Sequence, residues 1–198
     1  MSDHPLSPIP AADADIAYAT LISAYRDDPV HRWLYPDDDT YRSTLPTLIE
    51  AVGGASFGMS TAWRLGDSAV ALWVPPGVQP DAERIGQVLL ETVSVEKHPE
   101  TFSTLEQTDA ARPDYPHWYL PFFGVHSSKQ GTGLGTQLLT ASLEYIDLGG
   151  SPAYLLAPNP RNIPFFERHG FVLTGEAQEG DAPALFVMKR EGRQSQPS

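Results

Sequence analysis

At 198 residues with 41% hydrophobic content, the chain is long enough to bury one good core and falls in the size range of a single domain. A formal net charge of -12 with only 13 Lys and Arg excludes the basic surface on which phosphate-backbone binders depend, so no nucleic-acid partner is expected. The absence of cysteine removes disulfides, thiolate metal sites and a cysteine nucleophile, and no metal is expected.

Residues 1–10 carry Asp3, His4 and three prolines instead of a basic start followed by an apolar run. No stretch approaches the roughly 18 apolar residues of a membrane helix. A cytoplasmic protein without a membrane partner is the expectation. Ala11-Ala12-Asp13 precedes Ile16, Ala17, Leu21, Ile22 and Tyr25, whose spacing predicts a helix capped near Asp13 and ended by Asp27-Asp28-Pro29. The proline-bounded aromatic run from Val30 through Trp33, Leu34 and Tyr35 to Pro36 predicts a short irregular segment. A second helix is expected from after Asp37 to Gly53-Gly54.

Residues 60–64 and 69–74 flank Leu65-Gly66-Asp67-Ser68 and predict a hairpin. Residues 80–98 have helical spacing through Ile85, Val88, Leu89, Thr92 and Val95, and a polar connector follows to Pro116. The second half then alternates: strand 117–125, helix 133–148, strand 153–157, helix 163–169, and strands 172–174 and 184–188. Strand, helix, strand in succession implies a crossover with parallel strands, hence an α/β (α+β) fold with a mixed sheet. One domain over 1–190 and a polar, disordered tail over 191–198 are expected.

The predicted strand ending at Val125 runs into Ser127-Ser128-Lys129, then Gln130-Gly131-Thr132-Gly133-Leu134-Gly135, then an amphipathic helix with the stripe Leu134, Leu138, Ala141, Tyr145 and Leu148. The first amides of a helix lack internal partners and carry the positive end of the macrodipole, so such a turn accepts an anion. Glycine lets a pyrophosphate approach the backbone. A P-loop requires Lys-Ser or Lys-Thr after its last glycine, but Thr136 and Gln137 follow Gly135. A dinucleotide fingerprint requires its third glycine at Thr136. A nucleotide-binding protein therefore ranks last among the readings.

The pattern Gln-x-x-Gly-x-Gly resembles the first signature of the GNAT superfamily of N-acetyltransferases. Downstream, the run from Asn159 through Asn162, Phe165 and Phe166 to Gly170-Phe171 resembles its second signature. The stretch from Trp118 to Arg190, with residues 69–76 and 28–37, is similar to the puromycin N-acetyltransferase-like branch. The resemblance implies a GNAT-type sheet of about six to seven strands, mostly antiparallel, flanked by helices, in which strands 117–125 and 153–157 splay into a wedge for acetyl-coenzyme A. It implies acetyl transfer from acetyl-coenzyme A to a primary amine of a small molecule, by direct attack in a ternary complex, in a monomer or homodimer.

On the same grounds Phe123, Gly124 and Val125 would pair through their backbones with the pantetheine arm, the Phe123 N–H serving as oxyanion donor. Gln130, Gly131, Thr132, Gly133, Leu134, Gly135 and Thr136 would hold the pyrophosphate, Lys129 adding charge, and Asn159, Asn162, Phe165 and Phe166 would complete the cofactor site. Trp33, Leu34, Tyr35 and Trp73 would contact the acceptor, although aromatic residues between prolines are more often packing anchors.

Two departures bear on catalysis. Phe166 stands where relatives commonly have a Tyr acid, and Leu156 where the puromycin-type branch tends to have a Glu base. Replacement bases are His117 and Tyr119, with Asp114 and His31 as further candidates. Sequence does not choose among them, and these departures also motivate an alternative, a non-catalytic acyl-coenzyme A binding or sensing protein.

Overall fold

The computed structural model describes residues 6–192. Its strands are β1 (Leu6–Pro8), β2 (Ala62–Leu65), β3 (Ala69–Val74), β4 (Trp118–Val125), β5 (Ala153–Ala157), β6 (Val172–Ala177) and β7 (Leu185–Arg190). Its helices are α1 (Ala14–Ala24), α2 (Pro29–Leu34), α3 (Asp38–Gly53), α4 (Ala55–Gly58), α5 (Ala82–Thr92), α6 (His98–Ala111), α7 (Leu134–Ile146) and α8 (Ile163–Glu167). The strands form one seven-stranded sheet in the order β1-β2-β3-β4-β5-β7-β6. All neighbours are antiparallel except β4 and β5, which the α7 crossover makes parallel.

Helices cover both faces of the sheet. On β3, Val70 and Leu72 join α1, α3 and α5 in one core, while Ala69, Ala71 and Trp73 join α7 and β5 in the other. Burial on both faces explains why 69–74 is a continuous apolar run instead of an alternating one.

Several elements differ from the sequence reading. Residues 30–36 are not irregular: Asp28 caps α2 by accepting from the Val30 and His31 amides, with Pro29 in the first turn. The expected connector before Pro116 contains α6, whose buried face is Thr101, Thr104 and Thr108. Threonine methyls at helical spacing fill the role of aliphatics there, which hides the helix from a hydropathy pattern. The strand β1, paired with β2, and the single turn α4 are too short to leave a periodic signal. In α7 the expected Leu138 and Ala141 are buried, together with Leu139, Ser142, Leu143 and Ile146, while Tyr145 and, just past the helix, Leu148 are exposed. Tyr145 instead rests edge-on against Trp63, 4.8 Å between centroids. The expected tail is represented only by Glu191 and Gly192, the rest lying outside the described residues.

The strands β4 and β5 stay paired only at Trp118↔Ala153, Tyr119↔Tyr154 and Leu120↔Leu155. Two local causes end the ladder. β4 places three steps, Tyr119 to Phe122, against two of β3, Leu72 to Val74, which bends it. Pro121 then has no N–H with which to continue pairing. Beyond this point β5 pairs with β7 alone, through Leu156↔Val187 and Ala157↔Phe186, and the gap opens.

Candidate active site

The gap between β4 and β5 is a cleft of about 700 Å³. One wall is Phe123, Gly124 and Val125, the other Leu155, Leu156 and Pro158, and the floor is the glycine turn with Gln130, Gly131, Gly133, Gly135 and Thr136. Asn159, Asn162, Phe165 and Phe166 close the rim.

The turn's shape follows from its residues. Gly131 and Gly133 take φ of 73° and 88°, a region disfavoured for side chains with a Cβ, and Gly133 leads directly into α7. The Gln130 side chain donates to the Val125 carbonyl at 3.1 Å, tying the turn to the end of β4. Thr132 and Leu134 do not line the cleft: the Thr132 hydroxyl donates to the Lys129 carbonyl, and Leu134 packs on the core. Lys129, Arg161 and Arg168 bring positive charge to the lining.

At the inner end stands Tyr25, just past α1. Its hydroxyl accepts from the Phe123 N–H at 3.1 Å and donates to the Phe123 carbonyl at 3.0 Å. Both backbone groups thus point into the gap, and one side chain holds both. α1 reaches this depth because position 124 is glycine: a Cβ there would lie 2.7 Å from the Ala24 Cβ and 2.9 Å from Leu21 Cδ2. Burial pushes the Tyr25 hydroxyl above the usual phenol range, the Phe123 backbone bond opposing, so it remains protonated at neutral pH.

Next to Tyr25, the His31 ring stacks at 4.6 Å between centroids. The His31 Nδ1 lies 2.7 Å from the Asp28 carboxylate, which is 5% exposed. A carboxylate only accepts, so Nδ1 carries the hydrogen, and in the neutral imidazole Nε2 is then the atom with the lone pair. His31 borders a second cavity of about 170 Å³, which shares Tyr25, Pro121, Leu156 and Pro158 with the lining of the cleft.

Residues 12–171 match the acetyltransferase (GNAT) family. The chain belongs to the GNAT acetyltransferase family. It is 29% identical over 180 residues to an uncharacterized N-acetyltransferase of Schizosaccharomyces pombe, covering 83% of this chain and 72% of that one. Among solved structures, a histone acetyltransferase HPA2 and related acetyltransferase from Corynebacterium glutamicum has a TM-score of 0.65 at 23% identity, covering 96% of this chain and 97% of that chain. Arylalkylamine N-acetyltransferase 2 from Aedes aegypti has a TM-score of 0.64 at 14% identity, covering 95% and 98%. These two share the fold. The protein is an acyltransferase, and enzymes of this family use acetyl-coenzyme A as co-substrate.

The structure redistributes the catalytic and acceptor candidates of this acetyltransferase. His117 precedes the paired end of β4, away from the gap, with Nδ1 2.8 Å from the Tyr115 carbonyl and its ring against Tyr154. It lines neither the cleft nor the second cavity. Tyr119 does border the second cavity, but burial pushes its hydroxyl up to about 12, the opposite of what a base needs. Asp114 is exposed in the loop before β4. Trp33 and Leu34 line the second cavity, the Lys97 ammonium lying 5.0 Å from the Trp33 ring. Tyr35 and Trp73 are core residues with no exposed surface, Tyr35 bonding Thr92 and Trp73 packing edge-on to Trp118.

Gly124 also has a role other than the expected one. Strand alternation turns its backbone groups toward Val70 on β3, so its part is to admit α1. Phe166 is 7% exposed, ringed by Phe123, Phe165 and Phe171, with no ionisable group in its place. Sequence reasoning missed Tyr25 and the Asp28 partner of His31. The Asp-Pro cap signal and the three-residue spacing from Asp28 to His31 were available to find the latter.

Proposed function

We propose that the chain is a single N-acetyltransferase domain over 1–190 that transfers the acetyl group of acetyl-coenzyme A to a primary amine of a small molecule. The carrying observation is that the cleft and the second cavity share Tyr25 in their walls, with Asp28 lining the first and its partner His31 the second. The amides following Gly131 and the Lys129, Arg161 and Arg168 charges suit the pyrophosphate end. The Phe123 backbone suits an arm with amides of its own, which can pair with an open strand edge.

In this reading the amine nitrogen attacks the thioester carbonyl carbon. The N–C bond forms, the C–S bond breaks, and His31 Nε2 takes the amine proton while Asp28 holds the ring. Pairing of the arm with Phe123 frees the Tyr25 hydroxyl from the Phe123 carbonyl, and its O–H then donates to the developing oxyanion together with the Phe123 N–H. The thiolate leaves and takes a proton from solvent, giving the amide and free coenzyme A. Solvent thereby supplies the proton that Phe166 cannot give, and Tyr25 serves the oxyanion.

Incubation with acetyl-coenzyme A and a panel of primary amines is expected to release free thiol with at least one amine; a silent panel contradicts the proposal. The apolar character of Phe166 and Leu156 favours a second reading, an acyl-coenzyme A binding module. That reading requires saturable cofactor binding with no thiol release.

A further inference from the structure

The place of His31 depends on a helix too short to hold itself. α2 has six residues, well below the roughly 12–15 at which an isolated helix becomes marginally stable in water. Asp28 ties down its N-terminal end, accepting from the Val30 and His31 amides while also facing the His31 ring. At the other end the last carbonyls of a helix have no partner inside it. The Tyr35 amide takes the His31 carbonyl, and the Arg32 side chain bonds the Pro36 carbonyl and Asp38, both beyond the helix.

The Trp33 carbonyl is taken by Lys97, 64 residues further along the chain. The Lys97 ammonium donates to that oxygen and stands 5.0 Å from the centroid of the same residue's ring. Among the described residues, no other side chain from outside residues 28–38 hydrogen-bonds the α2 backbone, and Lys97 makes no ion pair. Its charge is therefore directed at the negative end of a helix and at the face of a ring, both on α2. Lys97 is itself well fixed. It ends the single 3-10 turn Val95–Lys97, and its amide donates to the Ser94 carbonyl at 3.0 Å. The turn lies between buried Val93 and α6, whose first residue, His98, has Nε2 2.9 Å from the Val93 carbonyl.

His31 lies two residues before Trp33, within the same turn of helix. Its stack on Tyr25, 4.6 Å between centroids, and its 2.7 Å contact with Asp28 both depend on where that turn sits. A reacting group displaced by about 1 Å can lose on the order of 100-fold in rate. We propose that Lys97 is a positioning residue: it anchors the C-terminal end of α2 and so fixes His31 against Tyr25 and Asp28. Lys97 lines neither the cleft nor the second cavity, so it acts through α2 alone. Its effect on turnover rests on the reading of His31 as the base; the anchoring of α2 does not.

The test compares the full-length wild type with Lys97→Met, Lys97→Arg, His31→Gln and the double variant Lys97→Met/His31→Gln. Amide hydrogen exchange is followed over residues 28–35, with residues 118–125 as a control. Coenzyme A affinity is measured by calorimetry, and turnover by thiol release with the panel amine on which the wild type is fastest. In Lys97→Met, exchange over residues 28–35 is expected to quicken about tenfold while the control segment is unchanged. In the same variant kcat falls about tenfold at equal coenzyme A affinity. Lys97→Arg, whose guanidinium can serve the same carbonyl and ring, is expected to restore both readings. In the His31→Gln background, Lys97→Met is expected to lower kcat no further. Circular-dichroism melting checks that every variant folds. Unchanged exchange over residues 28–35 in Lys97→Met, equal losses in Lys97→Arg and Lys97→Met, or a further tenfold loss in the His31→Gln background overturns the inference. Quickened exchange in Lys97→Met together with turnover that is indifferent to His31→Gln leaves the anchor standing and refutes the base instead.

Discussion

Replacing Tyr25 with Phe separates a catalytic hydroxyl from a mere plug in the cleft. The hydroxyl makes two bonds to Phe123, at 3.1 and 3.0 Å, in a residue that is 8% exposed. Its removal strands a backbone donor and acceptor, at about 1–3 kcal/mol for such groups. For a chain of this size about 2 kcal/mol lowers Tm by roughly 4–8 °C. Saturating coenzyme A is expected to narrow that deficit, because its arm re-pairs the freed groups. Coenzyme A affinity is expected to be equal or higher in Tyr25→Phe, since nothing competes for Phe123. Turnover is expected to fall about 100-fold, the scale of losing one oxyanion donor. Circular-dichroism melting with and without coenzyme A, followed by thiol-release kinetics, reads all three. An unchanged or raised kcat refutes the role given to the hydroxyl and leaves Tyr25 as a plug.

Other residues carry separate expectations. Asp28→Asn can still cap α2 but no longer fixes the His31 tautomer, so kcat is expected to drop about tenfold or more, with coenzyme A affinity preserved in a binding titration. Gly124→Ala forces its Cβ against Ala24 and Leu21, and a loss of about 1–3 kcal/mol in denaturant unfolding is expected; Gly135→Ala, whose Cβ would meet nothing nearer than 3.5 Å, is expected to melt near the wild type. Alkali tests the buried phenols. The folded-state value of Tyr119 is raised from 10.0 to about 12, so its stabilisation is complete below pH 10 and is lost as pH rises toward 12. Denaturant midpoints measured across that interval are expected to fall steadily, in step with phenolate absorbance.

The crossover from β4 through α7 to β5 was legible in the sequence because each element has a strong period and the glycine turn marks the junction. The floor of the cleft was legible for the same reason: a local run from Gln130 to Thr136 is contiguous in sequence and in space, with Thr132 and Leu134 turned elsewhere. The second cavity is assembled from Tyr25, α2, α3, α5, α6, β4 and the residues leading into β7, which no spacing in the sequence connects. Tyr25 looked like the last residue of an apolar stripe, and only the close approach at Gly124 brings it to Phe123. Similarly, Tyr35 and Trp33 belong to one aromatic run, yet the turn of α2 sends one ring into the core and the other to the cavity.

The central claim is that His31 on α2 supplies the base for acetyl transfer in the cleft. It is tested most directly by quantifying free thiol and acetylated amine together for the wild type and His31→Gln, with coenzyme A affinity measured on the same samples. The account predicts equal amounts of thiol and amide from the wild type, and turnover about 100-fold lower or less in His31→Gln, at unchanged coenzyme A affinity. Wild-type turnover retained in His31→Gln, or cofactor binding without thiol release in the wild type, would contradict it.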